Sequence, residues 1–392
     1  MILFTVFVDL IGFGVVIPLL PFYTEALGGG PAILGLLLAS FFVMQFLFAP
    51  ILGRLSDRVG RKPVLLGTLV AGTAGHLLLA SAGSLALLFL ARTLAGLASG
   101  NLSVAQAYIA DRTRPDERAR GMGFMGAAFG VGFAVGPVIG GALAPFGLMA
   151  PPLGAAALAG ANLVLAALFL PESLDDSVRR SLTSRPKARL GEALRRPAIR
   201  GLVLAFLIIS YAFMTIPVAF PILGMESFGL QPQDMLLLFV YIGTISLVMG
   251  TLAGRLARRF GEERLVALGT FAMTAGLAAA PLVASLAAYV LVTGVVSTGV
   301  AIAMPLVPSL VSKRTPTHEQ GSILGDAQAM GSLGRIPGTI VAGILYEQVG
   351  RASPFLVSAA AMAVAFAIIL LAYRESRQVA KAPVVAGASG DE

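Results

Sequence analysis

Gly53-Arg-Leu-Ser-Asp57-Arg-Val-Gly60-Arg61-Lys62 returns later in the chain as Gly254-Arg-Leu-Ala-Arg-Arg-Phe-Gly261. Other echoes keep the same order and nearly the same spacing. Ile17-Pro18 recurs as Ile216-Pro217, Glu25-Ala-Leu-Gly28 as Glu226-Ser-Phe-Gly229, and Gly121 and Pro137 as Gly321 and Pro337. One short match is chance; a run of ordered matches is a duplicated unit. The charged stretch itself lies between two long apolar runs in both copies. Reading outward from it therefore gives a repeat whose halves each contain several apolar segments joined by charged loops.

Composition names the solvent of those segments. The chain has 392 residues, 57% hydrophobic and only 12% charged, with mean hydropathy +0.88. Soluble domains carry about 25% charged residues, so too few charges remain to coat a water-facing surface. Helices apolar all round lie in lipid or deep in protein. There is no cysteine, which excludes disulfides and thiolate metal sites. There is no tryptophan either, so an interfacial aromatic belt rests on Tyr and Phe. The start, Met1 to Leu10, is apolar without a basic region and runs on to Pro21, which reads as a spanning helix rather than a cleaved signal.

A spanning helix needs about 20 mostly apolar residues. Twelve segments fit: 2–24, 31–52, 63–82, 84–108, 120–145, 149–171, 199–223, 231–253, 265–283, 285–310, 321–346 and 353–373. Backbone groups in lipid must pair within a segment, which makes these helices. All of the 28 Lys and Arg except Arg92, Arg335 and Arg351 then fall on one side of the membrane, in alternate loops or the tail. Basic loops stay in the cytoplasm. Contacts to nucleic acid would not alternate with the helix count, so none is expected despite the formal charge of +8. The expectation is an all-α, multi-pass protein of the inner (plasma) membrane. Twelve transmembrane helices form two parallel-repeat six-helix bundles, with both termini cytoplasmic. The bundles are 1–172 and 199–373, joined by a cytoplasmic linker 173–198 and followed by a tail 374–392. Parallel repeats of this kind place the substrate between the halves, near the midplane.

The motifs resemble a known family. GRLSDRVGRK resembles the loop between helices 2 and 3 of the major facilitator superfamily. Gly53 and Gly60 permit a tight turn and close helix approach. Asp57 stands among Arg58, Arg61 and Lys62 and suits a charge-assisted lock. The resemblance implies that this lock holds the cytoplasmic sides of the two halves together in one state, with Asp111 after helix 4 belonging to a further motif. The second copy has Arg258 where Asp57 stands. Helix 5 reads Gly132-Phe-Ala-Val-Gly136-Pro137-Val-Ile-Gly140-Gly141 and is similar to the family's antiporter motif, which implies efflux by exchange. Small residues at every fourth position let helices touch backbone to backbone, and Pro137 removes an internal hydrogen bond. Arg92-Thr-Leu-Ala-Gly96 in helix 4 resembles a third motif. Val8-Asp9-Leu-Ile-Gly12-Phe-Gly14 resembles the opening helix of the twelve-helix drug:proton antiporters, and of their tetracycline-resistance branch in particular. That branch implies acids in helices 3 and 9. Here helix 3 has Gly75 beside His76 and Leu265 to Val283 has no acid, which argues against tetracycline as cargo.

Proton coupling needs a side chain that changes charge within the membrane. The acids inside helices are Asp9 and Asp326. Asp9 is the expected proton carrier, with Arg92 as the charge that modulates it; Asp326 and Arg335 are the other coupling candidates. An intramembrane ionisable residue is a functional hypothesis by default. Nine residues separate Asp326 from Arg335, about 13 Å along a helix, so Arg335 needs a partner from elsewhere. A mostly apolar pocket with a few polar groups would draw on Gln45, Asn101, Gln106, Tyr211, Tyr241, Thr298 and Gln328. Prolines 18, 21, 217, 221, 305 and 308 mark bends. The expected partners are the lipid bilayer, a small lipophilic cargo that is neutral or weakly charged, and protons, acting on a monomer. The proton gradient takes the place of a cofactor. No nucleophile–His–acid set, metal cluster or phosphate loop is present, which excludes an enzyme and leaves no catalytic or metal-binding residue. A sugar, polyol or metabolite symporter or facilitator of the same fold is the alternative.

Overall fold

The computed structural model describes residues 1–112, 118–173, 193–316 and 320–381. Most of the linker, with Asp175, His318 and the end of the tail, lies outside the described residues. The chain is a succession of helices: α1 Ile2–Ala26, α2 Pro31–Val59, α3 Arg61–Ala80, α4 Leu85–Ile109, α6 Ala150–Phe169, α7 Pro197–Phe228, α8 Pro232–Phe260, α9 Glu262–Leu282, α10 Leu286–Lys313 and α12 Ser353–Tyr373, with α5 Arg118–Leu143 and α11 Gln320–Gln348 between them. Among the described residues, ten helices are long and apolar enough to cross a membrane.

Hydropathy placed the helices but not all of their ends. The expected segments stop at 52 and 253, yet α2 and α8 continue to Val59 and Phe260. Their last turns are charged and protrude beyond the apolar run without ceasing to be helical. Gly53 therefore sits inside a helix; a Cβ there would only touch Ser103 Oγ, at 3.7 Å. Gly60 makes the turn, at φ +108°, a conformation that L side chains rarely adopt. The segment expected at 84–108 is a single span, Leu85–Ile109, with a turn inside it. α4 breaks between Ala98 and Asn101, where Gly100 lies against Leu52 and the backbone of Ala49. α1 tightens into a 3-10 turn over Ile17–Leu19 at Pro18, and α7 is interrupted at Met214, just before Pro217. By contrast, α10 runs on through Pro305 and Pro308.

The duplication is visible in the backbone. Every positive-φ residue among the described ones is a glycine with a counterpart in the other half: Gly28 with Gly229, Gly60 with Gly261, Gly147 with Gly350. Ser84 caps α4 by accepting from Leu87 N, and Ser285 caps α10 by accepting from Ala288 N. Such caps are worth about 1 kcal/mol each.

The halves meet mainly at one end. α2 crosses α11 where Cβ atoms on Gly35 and Gly343 would run into the backbones of Thr339 and Pro31, and α5 meets α8 at Gly140 and Leu236. The largest apolar cluster takes its first-half members from Val16 to Leu38 and from Leu79, Leu88 and Ala91. All of these are distal to the Gly53–Lys62 stretch. The apolar cluster beside that stretch, with Leu52, Val64 and Ile109, contains first-half residues alone. The halves are thus fused at the distal end, and the first half keeps a core of its own at the charged end.

Candidate translocation site

Two crossings position the interior polar groups. On α5, the Gly132–Gly136–Gly140 stripe receives α1. A Cβ on Gly132 would meet Leu10 Cβ at 2.6 Å, and one on Gly136 would meet Gly14 Cα at 2.7 Å. Pro137 lies against Gly14, and Gly141 faces Leu236. The stripe therefore fixes the height of α1, and with it Asp9. Asp9 is half-buried, and its Oδ2 accepts a hydrogen bond from Nδ2 of buried Asn101 on α4. An amide donates to a carboxylate and accepts from a carboxylic acid, so this contact can exist in both protonation states. One turn along α1, Gly12 leaves room for His76; a Cβ there would meet Nε2 at 2.8 Å.

On α4, Gly96 brings the helix onto α2; a Cβ there would meet Phe41 Cα at 2.8 Å. That approach lays Arg92 over the Phe41 ring, with Cζ 4.5 Å from the centroid. Arg92 is only 3% exposed, and its Nε and Nη2 have no hydrogen-bond partner. Gln45, one turn beyond Phe41, has an equally unpartnered Oε1. Arg335 on α11 approaches the same aromatic pair from the other half, 5.9 Å from the Phe42 centroid. Its Nε is also unpartnered. A charged side chain deep in a membrane costs about 2.5–3.5 kcal/mol on insertion scales. A cation–π contact returns roughly 0.5–2 kcal/mol, so ring stacking alone leaves each arginine under-compensated.

The other expected site residues are dispersed. Asp9 and Arg92 form no ion pair, and neither do Asp326 and Arg335. Asp326 instead accepts from Ala193 N at 2.7 Å, pinning the segment that leads into α7. The Tyr241 hydroxyl sits in the notch over Gly294 on α10, and Thr298 donates to the Gly294 carbonyl at 2.8 Å. Tyr211 is half-buried, and its backbone lies against Gly334 and Gly338. Gln106 and Gln328 are exposed. Sequence reasoning missed the second glycine stripe: Gly331, Gly334 and Gly338 on α11 receive α7 at Phe206, Leu207 and Tyr211, as α5 receives α1.

At the charged end, Arg61 is the hub of the first half. Its guanidinium holds Asp57 at 2.6 Å, Asp111 at 3.0 Å and Ser56 Oγ at 2.7 Å. Glu172 was not anticipated in this network. Its carboxylate accepts from the backbone N–H groups of Arg61 and Lys62 at 2.9 and 3.1 Å, satisfying donors that a helix start leaves open. Lys62 Nζ donates to the Ala167 carbonyl. Arg58 and Gly53 stand on the last turns of α2, outside the ion pairs of Arg61. All partners of Arg61 belong to the first half, so in this conformation the network ties α2, α3 and α4 to each other.

The second half repeats one of these ion pairs with its charges reversed. Glu262 stands at the repeat position of Arg61 and pairs with Lys313, near that of Asp111, at 3.0 Å. Beside it Arg314 holds Glu263 at 2.6 Å. A cleft of about 680 Å³ opens here, lined by Arg258, Arg264, Lys313 and Tyr373 among others. Reading the second copy as lacking an acid is correct at Arg258 alone; the acid has moved to the start of α9.

Comparison with known proteins gives a consistent picture. The family model described as Major Facilitator Superfamily matches residues 2–339. The class C tetracycline resistance protein of Escherichia coli is 33% identical over 362 residues, 88% of each chain. Multidrug resistance protein 2 of Bacillus subtilis (strain 168) is 26% identical over 96% of this chain and 95% of its own. Among solved structures, the human organic anion transporter MFSD10 superposes with TM-score 0.73 at 24% identity, over 94% of this chain and 97% of that one. A bacterial homologue of the human lysosomal transporter Spinster, inward-facing and occupied, does so with TM-score 0.75 at 15% identity, over 95% of each.

Proposed function

From the premise that this chain belongs to the Major Facilitator Superfamily, as a multi-pass membrane transporter whose relatives include tetracycline and multidrug resistance proteins, we propose that it is a proton-coupled efflux antiporter of small lipophilic compounds. It works by alternating access in the inner membrane. Twelve spans place both termini in the cytoplasm. Residues 1–172 and 199–373 are the moving halves, joined by a cytoplasmic linker, 173–198. Asp9 carries the proton.

One observation supports this reading above the others. Asp9 is the acid inside the first bundle, and a neutral amide rather than a cation holds it. A carboxylate neutralised by arginine would be locked in its charged form; one held by Asn101 is free to exchange a proton as its surroundings change. The glycine stripe of α5 supports proton coupling, because it links the height of Asp9 to the α5–α8 contact between the halves.

The test is reconstitution into liposomes with a pH-sensitive dye and a panel of lipophilic compounds. Addition of a transported compound on one side of the membrane should drive protons out onto that same side in the wild type, and Asp9→Asn should abolish the release while leaving compound binding intact. If Asp9→Asn transports normally with its pH dependence unchanged, Asp9 is not the carrier.

A further inference from the structure

Arg92 and Arg335 are the two arginines inside the membrane segments, and they come from opposite halves. Each stacks on one ring of the adjacent pair Phe41 and Phe42, whose centroids are 5.2 Å apart at 89°. Among the described residues, no carboxylate pairs with either. The acid inside the first bundle, Asp9, is engaged by Asn101. Three guanidinium nitrogens, Arg92 Nε and Nη2 and Arg335 Nε, are buried and donate to nothing. Buried polar groups are hydrogen-bonded as a rule, and each exception calls for a reason. The surroundings are apolar: Phe13 and Ile336 close around Phe41, Phe42 and Met214 in one cluster. Gln45 adds an unsatisfied acceptor.

We propose that Arg92 and Arg335 together bind the acidic group of the cargo, whose class is a lipophilic, ring-bearing carboxylate. This inference rests on the transport function proposed above and narrows its substrate. The arginines supply paired N–H donors that match carboxylate geometry. The phenylalanine pair takes the ring system, and Gln45 Oε1 takes a hydroxyl or amide N–H of the cargo. Because one arginine lies in each half, the carboxylate bridges the halves at the centre of the fold. Cargo lacking the charge leaves both cations as they stand in the empty site.

The experiment uses the full chain in lipid nanodiscs at one symmetric pH, with tritiated 2-naphthylacetate as probe and its methyl ester as matched competitor. Flufenamate and its methyl ester form a second pair. The acid should bind at least about tenfold more tightly than the ester, the increment expected of a charge-assisted hydrogen bond. Arg92→Gln and Arg335→Gln should each erase that preference, so that acid and ester bind alike. Arg92→Lys and Arg335→Lys keep the charge and should retain part of it, which covers the case of a glutamine variant that does not fold. Equal binding of acid and ester by the wild type in both pairs overturns the proposal. So does an acid preference that survives in the folded glutamine variants, because the anion then binds elsewhere. No pH gradient is applied, so a failure of proton coupling leaves this result standing. Conversely, gradient-driven export of a neutral lipophile alongside equal acid and ester binding removes the anion site and not the transporter.

Discussion

The interior of the first bundle turns on one side-chain contact. Asn101 is buried and donates to Asp9. Its replacement by alanine leaves a carboxyl group without its partner, at a cost of about 1–3 kcal/mol. Asn101→Ala is therefore expected to lower transport several-fold and to displace its pH profile, measured in inverted vesicles across a pH series. Gln106→Ala, on an exposed position of the same helix, should leave both unchanged. A second contrast separates the two charged networks. Arg61 is almost wholly buried against two carboxylates, whereas Lys313 is 65% exposed in its pair with Glu262. Breaking a buried ion pair costs about 3–5 kcal/mol; an exposed one is worth about 0.2–1 kcal/mol. Arg61→Ala should thus lower the melting temperature of the purified protein clearly, and Lys313→Ala hardly at all. Equal effects would mean that burial does not set the weight of these pairs. None of this ranking was readable from the sequence. Arg61 looks like one basic loop residue among several until the fold buries it, and Glu172 becomes its neighbour only when α6 returns beside α3.

At the scale of elements, the sequence was most legible where lipid imposes the rule and least where water takes over. Apolar runs located the ten helices that are, among the described residues, long and apolar enough to span, because a spanning segment has no polar solvent to hide in. The ends of α2 and α8 were misread, because charge was taken as the end of helix, whereas a helix persists into water until a residue such as Gly60 turns it. The Gly132–Gly136–Gly140 stripe was recognised as a helix contact, but the partner it receives was not written in α5. Its energetic weight can be tested. A Cβ on Gly136 would press on Gly14 Cα and Ile11 O, both backbone atoms that cannot swing aside. Overpacking of this kind costs about 1–3 kcal/mol. Gly136→Ala should lower thermal stability in detergent and slow transport, while Gly67→Ala, with nothing within 4 Å, should be neutral. A matching loss for Gly338→Ala, whose Cβ would meet Met214 Cβ at 3.1 Å, would show that the two halves use the device alike.

For the whole molecule, the relevant asymmetry is that the halves adhere at the end distal to the charged loops and separate toward them. A polar contact between described residues fastens the adhering end. Glu347 of α11 accepts from the N–H of Ala32 in the first turn of α2 at 2.8 Å, across the interface between halves. A carboxylate at a helix N-terminus is worth about 0.3–1 kcal/mol where exposed. In a stability difference that amounts to a shift of up to about fivefold, enough to move two closely balanced states. Under the proposed alternating access, Glu347→Gln removes the charge but keeps the shape, and should enrich the state opened at the distal end. The chain has no cysteine, so spin labels can be placed without background. A pair at Phe146 and Val349, both highly exposed, reports the distal end. A pair at Leu55 and Gly325, exposed on α2 and α11, reports the charged end. In the wild type the distal pair should give one dominant distance. In Glu347→Gln a longer distal population should grow as the pair at the charged end shortens, because rigid halves that part at one end close at the other. Distal lengthening without that reciprocal change would mean the contact only fastens a local turn, and the two bundles would not be moving as units.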